Sequence, residues 1–185
     1  MALSKIDGTN FIAPTIPVSA GGTGTTSYTA GITEADQWRL TANTNTGTSA
    51  DVTSNWERID TSGWGNIGTG LTESSGIFSF PSTGIYQILF FGAFKVDSGD
   101  TSADFEMYIT TNNSSYIIGA VARVGSSGGG TPSNYSGSNV FLFDVTDTST
   151  HKFKFKTGSF SGSNFLRGNT NEIFTNFVAT RLGDT

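Results

Sequence analysis

Cysteine is absent from the 185 residues of the chain. Its absence excludes disulfide bonds, thiolate catalysis and metal sites with cysteine ligands. Charged side chains are also scarce, at 14% of the sequence, and the net charge is −5 at pH 7. Because nucleic-acid binding requires a basic surface, this acidic balance argues against it. No run approaches the roughly 20 apolar residues of a membrane-spanning helix, so we expect no membrane insertion.

The sequence has no sustained helical period and no secretory signal at its start, where a basic segment followed by an apolar one is missing. If the protein acts outside a cell, we expect a route other than secretion to deliver it. Glycine is plentiful, with 24 residues, and 15 phenylalanines lie in short segments between clusters of Gly, Ser and Asn. This alternation of short apolar segments with turn residues predicts an all-β sandwich or barrel.

The clearest structural signal is a hairpin over residues 76–96. Phe78 and Phe80 share one face of its first strand, and Pro81-Ser-Thr-Gly84 forms the turn, because proline cannot donate to a sheet and glycine tolerates positive φ. The second strand is apolar on both faces and therefore needs two covers. One is the core of the domain, and the other is predicted to be a neighbouring subunit that contacts Ile85, Gln87, Leu89 and Phe91.

Residues 1–30 differ from the rest in composition, and we divide the chain into an extended arm, 1–30, and a β domain, 31–185. The arm is rich in glycine and polar residues and buries too little apolar surface to fold alone. Its Gly21-Gly22-Thr23-Gly24 run does not fit a phosphate-binding loop, since no strand precedes it and no Gly-Lys-Ser/Thr ending follows. The arm is either a disordered leader or a segment held by a partner in an assembly.

Three polar loops of the β domain are candidates for surface recognition: Asp97–Asp104, Gly125–Ser138 and Ser159–Asn164. The first holds three carboxylates but lacks the ligand spacing of a calcium-binding EF-hand, so a solvated turn is favoured and no cofactor is predicted. The second is the longest and is predicted to be flexible. Its candidate receptor-binding residues are Ser126, Ser127, Thr131, Asn134 and Tyr135.

Several side chains have both a structural and a functional interpretation. The tryptophans are either core packing or platforms on which a sugar ring stacks. Three lysines alternate with phenylalanines over residues 151–156, a pattern that we interpret as an edge strand protected by charge. The single histidine is expected at an exposed strand start, and no catalytic constellation is readable, so we predict that the protein is not an enzyme. The tryptophans are Trp38, Trp56 and Trp64, the lysines are Lys152, Lys154 and Lys156, and the histidine is His151.

Part of the hairpin, Gly76-x-Phe78-x-x-Pro81-x-x-Gly84-x-Tyr86, resembles the signature of the C1q/TNF-like jelly-roll domain. Residues 136–147 and Phe174–Val178 are similar to later strands of that family, although Thr146-Asp147 stands where the family has Gly-Asp. The resemblance covers about residues 36–182. It implies a jelly-roll sandwich of two antiparallel sheets and a compact homotrimer.

The arm carries a second resemblance, because Ile16–Ser27 looks like the Pro-Val-x-x-Gly-Gly-Thr-Gly-x-Thr segment of bacteriophage tail-fibre and other virion proteins. This resemblance implies a virion structural protein, assembled in the host cytoplasm, whose arm docks on another virion protein. Its jelly-roll head would attach to a host-surface glycan or protein. The alternative is an architectural decoration of capsid or tail without a host ligand. The predicted anchoring residues are Pro14, Pro17, Val18, Gly21, Gly22, Thr23 and Gly24.

Overall fold

The computed structural model describes residues 31–125 and 131–185, and all regular structure within these ranges is β-strand. No helix of the described residues is long and apolar enough to cross a membrane. The strands of the described ranges are β1 (Ala35–Leu40), β2 (Trp56–Arg58), β3 (Thr72–Ser74), β4 (Ile77–Ser79), β5 (Gly84–Val96), β6 (Ser102–Thr110), β7 (Ile117–Gly125), β8 (Ser133–Val145), β9 (Lys152–Gly158), β10 (Phe165–Leu166) and β11 (Asn176–Gly183).

Two antiparallel sheets form a sandwich. The first has the order β10-β5-β11-β1-β2, with β8 paired along the whole length of β5. The second has the order β3-β4-β9-β6-β7. The prediction of an all-β sandwich of two antiparallel sheets is therefore confirmed. The predicted extended arm lies outside the described residues.

Phenylalanines from both sheets fill the space between them. Along β5 the side chains alternate strictly, so that Tyr86, Ile88 and Phe90 are buried. Phe105 stacks on Phe155 with ring centroids 4.7 Å apart. Such aromatic pairs stabilise a core by about 0.5–1.5 kcal/mol each beyond the area they bury. Phe153 and Phe155, which alternate with the lysines of β9, are fully buried.

The turn before β5 has the conformation that its residues predict. Gly84 has a φ of 142°, a region that favours glycine. The Arg181 Nε donates to the Thr83 carbonyl at 2.8 Å, so the turn is bonded to β11. The hydroxyl of Tyr86 donates to the Ser82 carbonyl at 3.1 Å. The turn thus joins the hairpin to the last strand of the chain.

Two predictions about strands are corrected. The loop predicted over Gly125–Ser138 is shorter, because β8 begins at Ser133, which pairs with Val96 of β5. The polar, glycine-containing start of β8 has low strand propensity, and only pairing with β5 makes it a strand. The lysine strand β9 is not an edge, since β4 and β6 flank it on both sides. Alternation shows which side chains face outward, but it does not show how many neighbours a strand has.

Candidate functional site

The outward surface of the first sheet carries a row of apolar side chains. Leu89 of β5 is 37% exposed and lies opposite Val140 of β8 and Val178 of β11. Two residues further along the pair of strands, on the same face, Leu142 is 59% exposed opposite Gln87. We call this surface the association face, after the subunit contact that the sequence predicts for its β5 half. Its outward residues are Ile85, Gln87, Leu89 and Phe91 of β5 together with Val140 and Leu142 of β8.

This apolar surface continues around one edge of the sandwich. The Asn139 Nδ2 of β8 donates to the Val121 carbonyl of β7 at 2.9 Å, so the two strands run side by side. A Cβ on Gly119 would lie 3.3 Å from the Phe141 ring, which shows how closely they approach. Ile117, at 64% exposure, and Ile118 lie at the start of β7, so the strand beside β8 also carries exposed apolar side chains.

The opposite border of the association face is polar and buried. Arg39 lies opposite Asn176, which lies opposite Phe91. The Arg39 side chain is almost completely buried, and its Nε donates to a carboxylate oxygen of Glu57 at 2.8 Å. It also donates to the Thr61 hydroxyl at 3.1 Å. A buried cation is stable only with such partners, and they make this border rigid.

Sequence reasoning missed both the β8 half of the association face and its Arg39 border. The run Val140-Phe-Leu-Phe143 is apolar at every position, which is the signal that marks β5 as covered on both sides. The role of Arg39 had no local signal, because its partner Glu57 is on another strand.

Two of the predicted recognition loops form one hydrogen-bonded end of the sandwich. The Ser163 amide donates to a carboxylate oxygen of Asp97 at 3.1 Å, and the Ser161 hydroxyl donates to the carboxylate of Asp100. Hydrogen bonds from Ser98 and Ser163 hold the pKa of Asp97 below its usual range. The described residues contain no group of three or more His, Cys, Asp or Glu side chains that could hold a metal ion.

The remaining recognition candidates separate in the structure. Thr131 and Asn134 are exposed beside this loop end. Tyr135 is partly buried and packs against the core. Ser126 and Ser127 lie outside the described residues, and so do all of the predicted anchoring positions, namely Pro14, Pro17, Val18, Gly21, Gly22, Thr23 and Gly24.

The sequence predicts an exposed His151, but the structure buries this side chain in the turn after β8. Its ring nitrogens lie 3.3 Å from the Thr146 hydroxyl and 3.1 Å from the Thr150 hydroxyl. Its ring packs against Phe143 at a centroid distance of 5.6 Å. The hydroxyls and the aromatic contact give the histidine a structural role.

Comparison with known structures identifies the fold. The chain is similar to Eiger TNF of S. frugiperda, with a TM-score of 0.62 and 13% identity over 82% of this chain and 93% of that one. It is also similar to murine APRIL at pH 5.0, with a TM-score of 0.60 and 12% identity over 80% of this chain and 98% of that one. No protein-family model matches the sequence, and no curated protein matches it. The β domain is thus a TNF-like jelly roll.

Proposed function

We propose that the protein is a structural component of a bacteriophage virion that forms a homotrimer through its association face. In this proposal the arm docks on another virion protein, assembly takes place in the host cytoplasm, and the jelly-roll head attaches to the host surface. The observation that carries self-association is the contiguous apolar surface of Leu89, Val140 and Leu142. The virion assignment is supported by the resemblance of Ile16–Ser27 to tail-fibre segments.

Physical arguments favour a second copy as the cover of this face. Large exposed apolar patches on soluble domains mark interaction surfaces. Burial of apolar area contributes about 25 cal/mol per Å², so an interface of ordinary size supplies enough free energy for a stable assembly. The number of three copies is supported by the resemblance to C1q/TNF-like domains.

The test is the mass of the full-length protein in solution. Light scattering is expected to give three times the 19.5 kDa of one chain. Leu89→Asp is expected to yield monomer or aggregate, since a carboxylate buried without a partner costs several kcal/mol, on the order of the interface energy itself. The matched control is Ile67→Asp, which changes an exposed isoleucine outside the association face and should leave the trimer intact.

Two results would contradict the proposed assembly. One is a wild-type protein that remains monomeric at micromolar concentration. The other is a Leu89→Asp variant that remains trimeric, which would place the interface elsewhere.

An architectural role without a host ligand is the second candidate. It is favoured by the internal hydrogen bonds of the loop end, where the Asp97 carboxylate and the Ser161 hydroxyl already have partners within the chain. Neither candidate assigns a catalytic step to the protein. Binding to host cells distinguishes the two roles.

A further inference from the structure

One of the three tryptophans has a different environment from the others. Trp38 is buried, and Trp56 packs on the core while its indole donates to the Val52 carbonyl at 3.0 Å. Trp64, in contrast, is 42% exposed on the segment between β2 and β3. A large aromatic ring left in water offers apolar area on which a ligand could pack.

The segment around Trp64 holds the ring in place and leaves its surroundings open. The Trp64 amide donates to the Thr61 carbonyl at 3.1 Å, and Gly63 has a φ of 93°. A Cβ on either Gly63 or Gly65 would meet no atom within 4 Å, so the backbone on both sides of Trp64 is uncrowded. The ring is therefore positioned by its backbone without being enclosed.

The Arg39 guanidinium further fixes the ring. Its central carbon lies 5.7 Å from the centre of the Trp64 ring, within the range of a cation–π contact. Because the Glu57 carboxylate binds this guanidinium at 2.8 Å, the cation is held in place and supports the Trp64 ring. A pre-oriented ring loses little conformational entropy when a ligand stacks on it.

A carboxylate suited to hydroxyls shares the Arg39 guanidinium with the ring. The side chain of Asp60 is 78% exposed, and its carboxylate stands 3.5 Å from the Arg39 guanidinium. Among the described residues, nothing accepts a hydrogen bond from the Trp64 indole N–H. An apolar platform with a nearby acceptor and a free donor matches a pyranose ring, which has one face of C–H groups and a rim of hydroxyls.

We propose that Trp64 and Asp60 form a binding site for a neutral pyranose unit of a surface glycan. The inference rests on the proposed attachment role, to which it adds a class of ligand. A neutral sugar is favoured over an anionic one, because the carboxylates of Asp60 and Glu57, which both contact the Arg39 guanidinium, would repel a negatively charged ligand. The net charge of −5 also disfavours an anionic ligand.

Affinity electrophoresis of the full-length protein tests the site, with dextran, a mannan and a galactan as probes in the gel. At least one of these neutral polysaccharides is expected to retard the wild type. Trp64→Ala should weaken retardation about tenfold, and Trp64→Tyr should retain most of it because a stacking ring remains. Asp60→Asn, which leaves the platform unchanged, should weaken binding less than Trp64→Ala.

The inference is overturned if none of the three polysaccharides retards the wild type, or if Trp64→Ala is retarded equally. Light scattering and cell binding on the same samples distinguish this outcome from failure of the proposed function. If the trimer attaches to host cells but binds none of the three polysaccharides, the sugar site is contradicted and the attachment role is not. Loss of the trimer in Trp64→Ala would show that Trp64 is an assembly contact, which also overturns the site.

Discussion

At the residue scale, buried carboxylates join parts of the chain that are distant in sequence. Asp36 is almost fully buried and accepts hydrogen bonds from the Arg58 Nε and the Trp38 Nε1, both at 2.9 Å, and from the Leu71 amide at 2.8 Å. One side chain thereby joins β1, β2 and the segment leading to β3. Removal of one partner from such a group leaves the others desolvated and unpaired, which costs more than the bonds contribute on average.

Asp104 makes the equivalent connection near the loop end, and its ionisation predicts a dependence of stability on pH. Burial raises the pKa of Asp104, but hydrogen bonds from Arg123 and Ser159 and the charge of Arg123 lower it by more, so the pKa is below its usual range. A lowered pKa in the folded protein contributes stability above the ordinary carboxyl pKa of about 3.9. That contribution is lost as pH falls through the lowered value.

We therefore expect Asp104→Asn to reduce the free energy of unfolding by about 1–3 kcal/mol at pH 7. Below about pH 4 the difference from wild type should shrink, because protonation removes the same charge from the wild-type protein. Urea unfolding between pH 7 and pH 2.5 measures this difference. Glu172→Gln, at an exposed loop position, is the control and should change little at either end. A gap between Asp104→Asn and wild type that stays constant down to pH 2.5 would argue against the assigned charge effect.

At the element scale, local patterns predict strands better than they predict the neighbours of strands. The alternation of β5 and the Pro81–Gly84 turn are properties of adjacent residues, and both are present in the structure. The start of β8 is a strand only because β5 pairs with it, and no local pattern reports that pairing. The same holds for β9, whose interior position depends on β4 and β6. The association face was only half predicted for this reason, since its second half belongs to β8.

The hairpin turn itself makes a sharp prediction. A Cβ on Gly84 would lie 2.5 Å from the Gly183 carbonyl oxygen and from the Arg181 Nε, and the φ of 142° is strained for any other residue. Gly84→Ala is expected to destabilise the fold by about 2–4 kcal/mol, because the turn and β11 must separate. Thermal unfolding followed by circular dichroism measures the loss. Gly65→Ala, at an open position without positive φ, should stay within about 0.5 kcal/mol of wild type. Equal behaviour of the two variants would contradict the assigned role of the turn.

At the scale of the whole molecule, the association face and the loop end are at different places on the sandwich. The face follows the length of β5 and β8, whereas the loop end lies beyond Val96, where β5 stops and Ser133 begins β8. A second copy that covers the face therefore leaves the loop end and its exposed Asn134 accessible. In a closed assembly each copy presents the same loop end, so that weak individual contacts would act together.

Host-cell binding decides between attachment and architecture on this basis. If the trimer attaches to cells, a fluorescently labelled wild-type protein should bind them about a hundredfold or more tightly than monomeric Leu89→Asp, because linked sites raise the effective concentration of one another. Flow cytometry over a concentration series measures both affinities, and the trimeric Ile67→Asp protein is the control for surface charge. Leu142→Asp replaces Leu89→Asp if that variant aggregates. Equal binding by trimer and monomer would contradict multivalent attachment. Absence of binding by the wild type, together with infectivity that is retained after deletion of residues 126–136, would favour the architectural role.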